Sequence, residues 1–133
     1  MKKFLPRLLL VGMVLLLVTS LSAKDLEAKG KAWLDSHSGA PAINVTGNWH
    51  EKAWGTVVLH QAPDGRDVTG DGDGWDITGV ISGKQAFLLF SHKGKVNYSA
   101  VLTSQTDGSL NGSYARGFMG DNAKGKPMNL TKQ

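Results

Sequence analysis

The side chains best equipped for chemistry in this chain are aromatic: Trp49, Trp54, Trp75, Phe87, Tyr98 and Tyr114 lie on or near segments of alternating hydrophobicity, mostly on their apolar parity. On the inner face of a small barrel such rings either pack as core or line a pocket for an apolar or amphipathic ligand. Trp49, Trp75, Tyr98 and Tyr114 form the candidate ligand-binding set, and no cofactor is implied by any motif.

Other chemistries find less support. The stretch Asp71-Gly72-Asp73-Gly74-Trp75-Asp76 spaces carboxylates as a calcium loop does. With Asp73 and Gly74 at the fifth and sixth loop positions, however, the first falls on Thr69 and the twelfth, which needs a bidentate Glu, falls on Val80. The stretch reads as an acidic hairpin turn. His37, His50, His60 and His92 have no metal-ligand spacing, and His50 and His60, near Glu51, are the one pair that neighbouring strands could bring within reach of a surface ion. There is no Gly-x-Ser-x-Gly elbow, no Gly-rich phosphate loop and no pair of carboxylates on core parity, so the sequence predicts a non-enzyme.

These residues need elements to position them. Residues 24–42 carry Leu26, Lys29, Ala32, Trp33 and Leu34 at helical spacings with Asp25 as N-cap, which predicts one short helix ending near His37; a loosely ordered linker is the alternative. From Ile43 the period becomes two: Ile43, Val45, Gly47 and Trp49; Val57, Leu59 and Gln61; Trp75, Ile77, Gly79 and Ile81; Val96, Tyr98, Ala100 and Leu102; Leu110, Gly112 and Tyr114. Turn-forming clusters separate them at intervals of about ten residues, the rhythm of an antiparallel meander. Further segments around Val68, at Ala86 to Phe90 and at Met128 to Leu130 bring the total to about eight strands.

Eight strands with one apolar face leave two open edges unless the sheet closes, so the predicted fold is an all-β, up-and-down antiparallel barrel over residues 43–133. Val45-Thr46-Gly47, Val68-Thr69-Gly70, Ile77-Thr78-Gly79 and Leu110-Asn111-Gly112 repeat an apolar residue two positions before a Gly. Either these glycines let strands bend and approach closely, or the pairs merely enter turns. Val58, Val80, Leu88 and Val101 are read as an outer apolar strip, and Phe118 and Met119 as a loop that caps the barrel or meets a partner.

The start of the chain carries an address. Lys2, Lys3 and Arg7 precede an apolar run from Leu8 to Val18, eleven residues that span only about 16 Å as a helix, too short for a simple anchor. Residues 1–23 read as a secretory signal cleaved after Ala23, the alternative being an uncleaved membrane tether. The absence of Cys excludes lipidation, disulfides and thiolate metal sites. Cleavage removes three of fifteen basic residues and none of eleven acidic ones, leaving a net charge of +1. Scattered lysines on a nearly neutral domain make no phosphate-binding stripe, so nucleic acid is not an expected partner.

Gly47-Asn48-Trp49, followed by Gly55-Thr56 and a strand, and Asp107-Gly108-Ser109-Leu110-Asn111-Gly112-Ser113-Tyr114 resemble stretches of avidin-like and lipocalin-like barrel proteins. The resemblance implies the fold and an indole closing one barrel end. It implies no biotin site, because Glu51 stands where an avidin would present Asn soon after the Trp. The expected function is an exported binding module, periplasmic or extracellular, holding a small apolar or amphipathic ligand; the alternative is a filled barrel that serves as a protein-interaction domain. Oligomeric state is left open.

Overall fold

The computed structural model describes residues 27–117 and 125–133. The signal segment 1–23, the predicted N-cap Asp25 and the Phe118-Met119 loop therefore lie outside the described residues. Among the described residues, a helix over residues 27–36 (α1) precedes eight strands: β1 Gly47–Glu51, β2 Gly55–Gln61, β3 Asp67–Gly72, β4 Trp75–Ser82, β5 Gln85–His92, β6 Lys95–Ser104, β7 Leu110–Arg116 and β8 Lys126–Lys132. Each pairs antiparallel with the next, and β1 pairs with β8, so the meander closes into a barrel.

Closure removes the edges, and the seam that achieves it is short. Only Trp49↔Lys132 and His50↔Thr131 are in register between β1 and β8, whereas seven positions pair between β4 and β5. The Gln133 N–H donates to Asn48 O at 2.9 Å and extends the seam by one bond.

The interior is filled. Val57, Leu59, Ile77, Ile81, Leu88, Phe90, Leu102, Leu110, Met128 and Leu130 form one core, each no more than 2 % exposed. The glycines on the inner face are part of this packing. Gly70, Gly79 and Gly112 pair with Leu59, Leu88 and Leu102, and a Cβ on them would collide with the backbone carbonyls of Val58, Phe87 and Val101. At these positions the recurring apolar-x-Gly pattern marks close strand approach within a tightly coiled barrel, not entry into turns.

Three inside-outside assignments differ from the expected parity. Leu88 points into the core while Phe87 and Leu89 point outward, because β5 is buried on both faces: its outer side lies under Trp33 and Leu34 of α1. Val96 is outside, packed with that outer cluster, while Tyr98 is inside. A bulge causes this: Phe90 pairs with Tyr98 but Ser91 pairs with Val96, so Asn97 is an extra residue that shifts the parity.

The helix is clamped as well as packed. Gly30 sits close against Leu89, the Trp33 ring meets Phe87 edge-on at 5.5 Å, and His37 stacks on Phe87 at 3.6 Å. Arg66, in the β2–β3 turn, donates from its guanidinium to the carbonyls of Leu34, at 3.0 Å, and His37. Leu34 O lies in the last turn of the helix, where it also accepts from the His37 N–H at 3.2 Å and where a cation is favoured by the helix dipole. Residues 39–42 then run beside the β4–β5 turn, with Gly83 N–H donating to Ala40 O and Ala42 N–H to Gly83 O.

Candidate functional site

The up-and-down topology puts the β1–β2, β3–β4 and β5–β6 turns at one end of the barrel and the β2–β3, β4–β5 and β6–β7 turns at the other. The second end is shut by residues 43–45. Gln61 holds them there: its side-chain amide donates to Ile43 O and Gly65 O, and its Oε1 accepts from Val45 N–H at 2.8 Å.

The first end is an aromatic mouth. Trp54, just before β2, lies over Phe90 with ring centroids 4.7 Å apart and meets Tyr98 and Tyr114 at 5.4 and 5.3 Å. Trp75, the first residue of β4, meets Tyr98 at 5.3 Å. Phe90 is the floor, fully in the core, whereas Trp75, Tyr98 and Tyr114 are half-buried at the rim. Between Trp54, Trp75, Tyr98, Tyr114, Ala53 and Asp73 lies an open cavity of about 190 Å³.

Glu51 fixes the orientation of Trp54. Its carboxylate is buried and accepts from the backbone N–H groups of Ala53 at 2.6 Å and Trp54 at 2.8 Å, which holds the tight turn that folds the indole inward. Asp73 stands at the β3–β4 turn with φ of 52°, a left-handed conformation that Asp and Asn tolerate better than most residues.

Of the four residues expected to bind, the structure brings Trp75, Tyr98 and Tyr114 together and leaves Trp49 apart. Trp49 is 2 % exposed, donates its indole N–H to Val45 O at 2.9 Å toward the shut end, and carries the Lys132 ammonium over its ring at 5.5 Å. It seals the interior. Trp54, named among the aromatic residues, and Asp73, read as part of an acidic hairpin turn, fall outside the expected binding set because both sit in turns, off the alternation that located the others. Glu51 carried a signal: a carboxylate on the core parity of a strand, two and three residues before the N–H groups it accepts from.

The histidines do not converge. His50 pairs with Thr56 and His60 with Thr69, four positions along β2 from one another, and among the described residues no group of three His, Asp or Glu is placed to hold a metal. No described helix is long and apolar enough to cross a membrane.

A second hollow, of about 350 Å³, separates α1 from the outer face of the barrel and is lined by Lys31, Leu34, Val80, Leu89 and Val96 among others. No family model matches the chain, and no curated protein or solved structure matches it.

Proposed function

We propose that this is an exported, non-enzymatic binding module that holds one small amphipathic ligand in the aromatic mouth of its barrel. The observation that carries the reading is the convergence of Trp54, Trp75, Tyr98 and Tyr114 around an open cavity above a filled core. Half-buried rings that present their polar edges and an adjacent carboxylate suit a ligand with both apolar and polar parts. The size of the cavity points the same way: a dry cavity of about 150 Å³ accommodates a benzene ring.

The reading of the molecule as a protein-interaction domain has less support. Of its expected outer strip, Val80 is covered by α1, Val101 packs against the same cluster and Leu88 points inward, while Val58 is half-buried on β2.

Native mass spectrometry on the protein purified gently from its own export route tests the proposal. A mature N-terminus at Lys24, and an extra mass that disappears on denaturation and is retained less by Trp75→Ala, are the expected results. A wild-type protein that is clean of any added mass and takes up none from a panel of small amphiphiles would overturn it.

A further inference from the structure

We infer that the mouth takes a compact organic cation of the quaternary or tertiary ammonium class, held among Trp54, Trp75, Tyr98 and Tyr114 with Asp73 as its counter-charge. The inference rests on the binding reading above and names its ligand class.

The ring geometry is the first argument. Trp54 stands at 82° to Tyr98 and 88° to Tyr114, and Trp75 at 81° to Tyr98. These edge-to-face contacts fix the four rings as a cluster around the cavity they line. The face of an aromatic ring is the negative pole of its quadrupole and attracts a cation placed over it.

Charge is the second argument. Among the described residues Asp73 is the one charged residue lining the cavity, while the described Lys and Arg residues at this end, Lys52, Lys93, Lys95, Arg116 and Lys126, occupy turns and strand ends that do not line it. An anion would meet a carboxylate and ring faces of its own sign, and a neutral apolar ligand would draw nothing from Asp73. A cation gains from both. Alkylation matters because a methylated ammonium gives up its water more readily than a primary one, and cation–π attraction strengthens with desolvation.

Size is the third. A cavity of about 190 Å³ admits a headgroup and falls below the roughly 300 Å³ at which drug-sized pockets begin, so a long acyl chain would remain outside.

Calorimetric titration of the full chain with choline, and with its neutral carbon isostere dimethylbutanol, tests the inference. Choline is expected to bind at least about tenfold more tightly than the isostere, the effect of a cation meeting several rings. Asp73→Asn, which keeps the turn conformation, is expected to weaken choline about tenfold, leave dimethylbutanol unchanged and preserve the circular dichroism spectrum. Equal affinities for the two probes would overturn the cation assignment while leaving the mouth as a binding site. Failure of choline to bind would also overturn it; in that event a retained mass in the native spectrum keeps the broader binding reading, and a clean spectrum removes both.

Discussion

At the scale of single residues, the site depends on small groups that set the rings in place. The Glu51 carboxylate satisfies two backbone donors beneath Trp54, and each would be left unpaired without it. Glu51→Ala is expected to cost about 1–3 kcal/mol of stability and to broaden the Trp54 indole signal in NMR spectra, because a buried N–H without a partner carries its desolvation penalty. Gly112 makes a different demand. A Cβ there meets the Val101 carbonyl, so Gly112→Ala should destabilise by about 1–3 kcal/mol or more through overpacking, read as a lowered urea midpoint. The turn carboxylates make a testable acid limit. Ser109, through its hydroxyl and its N–H, holds the Asp107 carboxyl below its usual range, and the N–H groups of Arg66 and Asp67 do the same for Asp64. A depressed folded-state pKa contributes stability above the unfolded value, and that contribution is lost as the pH falls through the depressed one. Carboxyl NMR titration should therefore give both residues midpoints below that of an unfolded Asp, and Ser109→Ala should move Asp107 back toward it.

Among the elements, the barrel strands were the most legible part of the sequence. Period-two alternation located β1, β2, β4 and β7 and put Trp75, Tyr98 and Tyr114 on the inner face because each strand has a wet side to contrast with a dry one. That contrast vanishes in β5, where Ala86 to Phe90 is buried on both sides, so the outward direction of Phe87 depends on α1, a partner that a local pattern does not contain. The bulge at Asn97 is equally invisible to a strict alternation and inverts Val96. Trp54 and Asp73 lie outside the candidate binding set for a related reason: both are turn residues, positioned by Glu51 and by backbone conformation, neither of which has a period. The docking of α1 is the element whose energetics are easiest to check. Trp33→Ala removes its main anchor and is expected to cost about 3–5 kcal/mol. Arg66→Met keeps the apolar stem but abandons the helix carbonyls, for an expected loss of about 1–3 kcal/mol. Hydrogen exchange in residues 27–36 should accelerate in both variants more than in β5, since Trp33 and Arg66 both hold the helix against the barrel.

For the whole molecule, the division of labour is between a filled core and an aromatic mouth at one end of the barrel. The β1–β8 seam, with two register pairs, is the place where the closed sheet is weakest, and its amides should exchange before those of β4–β5. The proposed ligand site is the mouth, as distinct from the filled interior and the groove under the helix. The four tryptophans report on all three places: Trp54 and Trp75 at the mouth, Trp49 in the sealed core and Trp33 under α1. The most direct measurement is a nitrogen–proton NMR titration of the four indole N–H signals with a set of single-ring compounds and small organic cations. Ligand in the mouth is expected to shift Trp54 and Trp75 while Trp49 and Trp33 hold still. Shifts confined to Trp49 or Trp33 would contradict it by placing the ligand inside the barrel or against the helix.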